Sequence, residues 1–354
     1  MTTTNVCAEQ HPSFDEMTLQ HQRFLQDAED GPAPLSTSIL LLAAIALGGL
    51  IGLTVPASTE VFSHGIDTTV QVMIFLLFFE LQLGPLLSAF QNVRFLLWAW
   101  SANFLIIPLI AFGIASLIFA GQPLLFAGLM IYLLAPCTDW FLGFTRLAKG
   151  DTELGASLIP VNIITQLVLF PVWLWLFANE TGLLDFTVMP TMLLQWFVVP
   201  LFAAQSMRIV FERVLPKNFA APIVAKINHI VPFALAALVM QIFATHIGAI
   251  AIHLHITALV AVGVSVFFVS TFIVGERLSW LAHFDYPQRA LLATTMASRN
   301  APLMLGLTAL VFPNEPMVLA VIVAGMLVEI PLLMALNRIL LNQAPDQSGS
   351  NFRA

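Results

Sequence analysis

Four ionisable side chains sit deep inside otherwise apolar stretches: Glu80, Asp139, Arg299 and Glu329. A charge in hydrocarbon is expensive, so each is a functional candidate. Asp139 and Arg299 have opposite signs, and each lies in an apolar run interrupted by proline. The runs read Ala135-Pro136-Cys137-Thr138-Asp139 and Ser298-Arg299-Asn300-Ala301-Pro302. If the runs cross, the two charges neutralise each other, either within a site or as glue between helices. Glu80 and Glu329 then remain as two carboxylates without a countercharge. Protonatable carboxylates in a central cavity suit proton coupling or a cation site. Glu329 equally suits a role as hydrogen-bond acceptor for the backbone of a broken helix, and Glu80 falls on a segment that could be peripheral.

Uncharged candidates adjoin the same interruptions. Cys137 follows Pro136, so its thiol reads either as a small apolar group or as a ligand for a thiophilic substrate. Thr138, Ser298 and Asn300 flank the breaks, and Asn162 follows Pro160. Asn103, Gln166, Gln195 and Gln241 are also deep amides, of the kind that usually bond neighbouring helices. His246, His253 and His255 cluster at one loop, where solvation explains them better than a metal does. No Ser-His or His-x-x-x-His arrangement lies within a span, so no hydrolase centre, resident metal or cofactor is expected. Cys7 and Cys137 lie in unlike surroundings, which argues against a disulfide.

These residues need elements to hold them in a bilayer. Of the 354 residues, 59% are hydrophobic and 9% charged, with mean hydropathy +0.91. Soluble domains are about a quarter charged, so a soluble enzyme is excluded. A net charge of −7 without a basic run excludes a nucleic-acid partner. Ten segments are apolar over roughly 20 residues: 37–55, 67–90, 94–119, 124–148, 153–178, 188–210, 229–250, 254–276, 289–313 and 317–341. Apart from Arg299, the thirteen Lys and Arg residues all fall on one side of this arrangement. That asymmetry places both termini in the cytoplasm.

Ten spans divide into two five-helix repeats, 37–178 and 188–341. An odd number of spans gives the repeats opposite orientations. The prolines then interrupt the fourth span of each, which is the mark of an inverted-repeat transporter with its site at the interruptions. The fold class is an all-α polytopic membrane protein. Residues 1–36 form a cytoplasmic tail, acidic rather than signal-like. The tail reads either as loosely ordered or as a short amphipathic helix begun by Ser13-Phe14-Asp15-Glu16. Residues 342–354 form a polar cytoplasmic tail. The lack of a signal or transit peptide suits a bacterial inner membrane. Gly48 and Gly52 have small-xxx-small spacing, a packing signal.

Three motifs in order carry a family resemblance over all ten spans. Pro136-Cys137-Thr138, followed by Leu147-Ala148-Lys149-Gly150-Asp151, resembles the fourth span of arsenite-efflux permeases of the bile acid:sodium symporter superfamily. Ala297-Ser298-Arg299-Asn300 resembles the superfamily's ninth-span break. Leu327-Val328-Glu329-Ile330-Pro331 resembles the tenth span of the arsenite branch. The resemblance implies a core of spans 3–5 and 8–10, with spans 4 and 9 broken and crossing, and a panel of spans 1, 2, 6 and 7. Substrate would lie between core and panel. The chain departs from the arsenite branch at Pro302, where that branch has an acidic residue. It departs from the sodium-coupled branch at Phe141, Leu142, Thr295 and Arg299. A fixed Arg299 would repel sodium, which favours proton coupling or facilitated movement.

Two functions follow as expectations. One is export of arsenite or antimonite, with Cys137 and Thr138 at the substrate. The other is ion-coupled transport, by sodium or proton, of a small organic anion whose carboxylate is received by Arg299 and the broken-helix N-termini. The candidate substrate-binding residues together are Cys137, Thr138, Arg299, Asn300 and Ser298. Asp139, Glu329, Glu80 and Asn162 would serve the coupling ion. The partners are a small molecule or ion, the lipid bilayer and the coupling proton or sodium.

Overall fold

The computed structural model describes residues 34–55, 58–80, 92–138, 140–178, 194, 198–214, 226–227, 230–252, 254–312 and 315–344. The described residues are helical throughout, apart from short connections and one isolated bridge. The helices are α1 Pro34–Thr54, α2 Ser58–Glu80, α3 Val93–Ile118, α4 Pro123–Leu134, α5 Phe141–Leu147, α6 Thr152–Ala178, α7 Val199–Val214, α8 Val231–Ile252, α9 Leu254–Leu281, α10 Tyr286–Ala297, α11 Ala301–Val311 and α12 Pro316–Asn342. Six of them contain a stretch long and apolar enough to cross a bilayer. The chain is a multi-pass helical membrane protein. A stripe of Val262, Val266, Val269 and Ile273 along α9 is exposed. Water would penalise such a surface, and lipid tails accept it.

Several limits move from those read in the sequence. The first helix starts at Pro34 rather than 37, and the second starts at Ser58 rather than 67. Residues 81–90 of the expected second span, and most of 188–197, lie outside the described residues, as do the tail 1–33 and residues 345–354. The stretches 124–148 and 289–313 are not continuous helices but pairs, α4 with α5 and α10 with α11.

The helices sort into two sets by contact. α1, α2, α7 and α8 pack on one another, while α3 to α6 and α9 to α12 form the other set. The sets meet where α2 touches α11 and where α8 and α1 touch α12. The tightest pairing is α1 on α8. A Cβ on Gly48 or Gly52 would collide with the backbone oxygen of Met240 or Ala244, so the two glycines let the helix backbones touch. Gln205 Nε2 and Arg208 Nη1 on α7 donate to Phe78 O (2.6 Å) and Phe79 O (2.8 Å). Both carbonyls belong to the final described turn of α2.

α3 contains a π-helical turn at Ala102–Ile106. Pro108 explains it. Proline cannot donate to the carbonyl four residues back, and its ring crowds that carbonyl, so the preceding turn widens. The widened turn carries Asn103, which is fully buried.

Candidate functional site

Both interruptions are short extended segments, and they are joined. Pro136 biases the residue before it away from helix, and Ala135 is extended at φ −92°, ψ 114°. Ser298, after α10, is extended at φ −78°, ψ 137°. The segments lie antiparallel, with Pro136 opposite Arg299. Cys137 N donates to Ser298 O (3.1 Å) and Asn300 N donates to Ala135 O (2.9 Å). Backbone groups freed inside a membrane must find partners, and here each break partly satisfies the other. In this register neither Pro136 nor Arg299 uses its own nitrogen in the bridge. Proline therefore loses nothing there, and the Arg299 N–H is left to point away from the bridge.

That N–H meets Glu329. Glu329 Oε1 accepts from Arg299 N (2.8 Å) and Trp140 Nε1 (3.2 Å), and Oε2 accepts from the Tyr132 hydroxyl (2.8 Å). Glu329 is 0% exposed. The carboxylate expected to lack a countercharge is thus surrounded by three donors, one of them supplied by the break itself. Gly325, one turn before Glu329, allows this. A Cβ there would lie 2.7–2.9 Å from the Tyr132 ring.

The Arg299 side chain turns the other way. Nη1 donates to Leu133 O (3.0 Å). Nη2 donates to Met296 O (2.7 Å), Thr295 O (2.9 Å) and, at 3.4 Å, Asn103 Oδ1. The guanidinium carbon lies 5.3 Å from the centre of the Phe267 ring. Leu133 is in the last turn of α4, and Thr295 and Met296 are in the last turn of α10. One cation therefore caps two helix C-termini, where open carbonyls concentrate partial negative charge.

Asn300 begins α11. Its Oδ1 accepts from Leu303 N (3.3 Å), an N-cap bond, and its Nδ2 donates to Thr138 Oγ1 (3.0 Å). Pro302 falls in the first turn, where its missing N–H is harmless. It starts α11 rather than kinking a continuous helix. Cys137 is a fully buried thiol outside any disulfide. The Ser298 hydroxyl is buried without a hydrogen bond, as are Asn162 Nδ2 and both polar atoms of Gln166 on α6. Asn162 and Gln166 lie one turn apart, on the side of α6 where Gly155 meets Phe141, Leu142 and Leu291.

The crossing thus gathers Cys137, Thr138, Ser298, Arg299, Asn300 and Glu329. Asp139 lies outside the described residues, so its expected pairing with Arg299 falls outside them too. Glu80 is the last described residue of α2, away from the crossing in sequence, and its side chain is outside the described residues. Tyr132, Trp140 and Asn103 were not among the residues singled out at the breaks. The sequence does hold one signal for Tyr132. It is one of two tyrosines, and a buried phenol needs a partner. Among the described residues no group of three His, Cys, Asp or Glu is placed to hold a metal.

Helices that break and exchange backbone bonds in the interior of a multi-pass membrane protein are the architecture of a transporter. The chain belongs to the Sodium Bile acid symporter family, whose sequence model matches residues 68–256, more than half of its length. Its family is one of transporters, not enzymes. The chain is similar to the Arsenical-resistance protein Acr3 of Corynebacterium glutamicum, 26% identical over an alignment of 248 residues that covers 66% of this chain and 66% of that protein. The match therefore spans just under two thirds of the relative's length.

Proposed function

We propose that this transporter exports arsenite or antimonite across a bacterial inner membrane by proton-coupled alternating access. In this reading ten spans form two inverted five-helix repeats, 37–178 and 188–341, and both termini are cytoplasmic. The set α1, α2, α7 and α8 is a panel, and the remaining helices are a core that rocks against it. The substrate meets the core at Cys137, Thr138, Ser298 and Asn300. Asp139, Glu329, Glu80 and Asn162 are the candidates to handle the coupling ion. The observation that carries the reading is the backbone bond from Cys137 to Ser298, which puts the membrane-embedded thiol on the crossing of the two breaks. Trivalent arsenic is soft and prefers sulfur, and a single thiolate holds it weakly enough to let it go. The name of the corynebacterial relative agrees with this substrate.

The competing reading, a sodium- or proton-coupled symporter of a small organic anion, asks Arg299 to receive a carboxylate. Both terminal guanidinium nitrogens are already engaged by protein oxygens, which weakens that reading. The deciding experiment is arsenite uptake into everted vesicles, with and without an imposed pH gradient, for wild type and Cys137→Ser. Gradient-driven uptake that the serine variant loses is the expected result. Uptake that survives the substitution removes Cys137 from the site. No arsenite uptake by the wild type transfers the assignment to organic anions.

A further inference from the structure

The surroundings of the Arg299 guanidinium have the composition of a metal-cation site. Three backbone carbonyl oxygens and one amide oxygen converge on it, from Leu133, Thr295, Met296 and Asn103. Such oxygens are what hard cations take in place of their hydration shell. The charge is matched in sign, by the helix ends that carry these carbonyls and by the nearby Glu329 carboxylate. Each helix C-terminus carries about −0.5 elementary charge, so the ends of α4 and α10 together offset about one positive charge. Arg299 is 0% exposed, and its terminal nitrogens take all four oxygens while its Nε has no partner. The Glu329 carboxylate is engaged by the Arg299 backbone rather than by its side-chain hydrogen bonds, so the guanidinium's hydrogen-bonding counterparts are these uncharged oxygens. The π-helical turn around Asn103 brings the fourth oxygen from a third helix.

We propose that Arg299 is a tethered cation. It permanently fills a cage that would otherwise bind a monovalent metal ion, so the crossing is held together without sodium, and removing the guanidinium creates a metal-ion site. A purely structural arginine makes a different prediction. Its loss would destabilise the chain equally in every salt.

The test uses the purified full chain and no substrate, so it is independent of whether arsenite is the cargo. Thermal unfolding is followed for wild type, Arg299→Lys, Arg299→Ala and Arg299→Gln in choline, lithium, sodium and potassium chloride at equal ionic strength. Wild type and Arg299→Lys, which keep a covalent charge, should unfold at the same temperature in every salt. Arg299→Ala and Arg299→Gln should unfold early in choline. They should recover by roughly 2–4 °C or more, saturably, in one of the metal chlorides. Equal unfolding of both neutral variants in choline and in all three metal salts overturns the proposal. So does failure to recover either variant folded in any salt, or a sodium-dependent wild type.

Discussion

Replacing Glu329 separates two things its carboxylate supplies, a set of acceptor atoms and a charge. Glu329→Ala strips the acceptor from Arg299 N, Trp140 Nε1 and the Tyr132 hydroxyl at once. A buried donor left bare costs about 1–3 kcal/mol. Three of them sum to roughly 3–9 kcal/mol, the scale of a whole protein's net stability of about 5–15 kcal/mol. Glu329→Gln is gentler. Arg299 N and Trp140 Nε1 share the same oxygen, Oε1, so the amide oxygen can serve both. The amide NH2 then faces Tyr132, whose hydroxyl turns to accept. The hydroxyl proton and the second amide hydrogen are then orphaned, at about 1–3 kcal/mol each, together with the loss of charge assistance. The expected result is that Glu329→Gln purifies folded, with a lowered unfolding temperature, while Glu329→Ala aggregates or melts earlier still. Fluorescence-detected size exclusion after graded heating reads this directly. Equal damage by Gln and Ala, or an Ala variant as stable as wild type, would refute the argument that satisfying donors is what the carboxylate does here. The same Gln variant, once shown to be folded, tests the coupling. If Glu329 carries the proton, arsenite uptake in everted vesicles loses its dependence on the pH gradient. A retained slope moves the proton to Glu80 or Asp139.

Two substitutions probe the scaffold. Gly52→Val places carbon against the backbone oxygen of Ala244 and the Ile247 side chain. A backbone atom cannot rotate aside, so α1 and α8 must separate, and yield and unfolding temperature should fall sharply. Gly113→Val, on α3, meets nothing within 4 Å at its Cβ and should matter much less in the same assay. Asn300→Ala removes the α11 cap and the bond to Thr138. It should destabilise by about 1–2 kcal/mol for the cap alone, read by thermal unfolding, and Asn300→Ser should restore most of that loss.

The crossing was legible because proline and polar residues are rare in apolar runs, so Pro136, Cys137, Arg299 and Asn300 announced the breaks by composition alone. The partners of Glu329 were not legible. Its main partner is a backbone N–H, available only after the chain leaves the helix, and no residue type records that. The carbonyls of two helix ends that surround Arg299 were not legible either, because a sequence does not record which main-chain oxygens a break leaves open. The tyrosine and tryptophan at the carboxylate each combine an apolar ring with one polar atom, and the sequence does not say which acceptor that atom meets. Gly48 and Gly52 carried a real message in their spacing, but their partner helix is almost two hundred residues away. Periodicity has no access to that distance.

The joint between the two breaks is made by main-chain atoms, and this bears on how such a protein can change over time. Cys137, Ser298 and Asn300 contribute peptide groups to the joint, and peptide groups are the same whatever side chain they carry. Selection can therefore trade one side chain for another at the crossing without dismantling it. A thiol can give way to a hydroxyl, or a tethered charge to an amide. One framework of this kind can be passed between lineages that handle chemically unrelated cargoes, with the specificity rewritten one residue at a time.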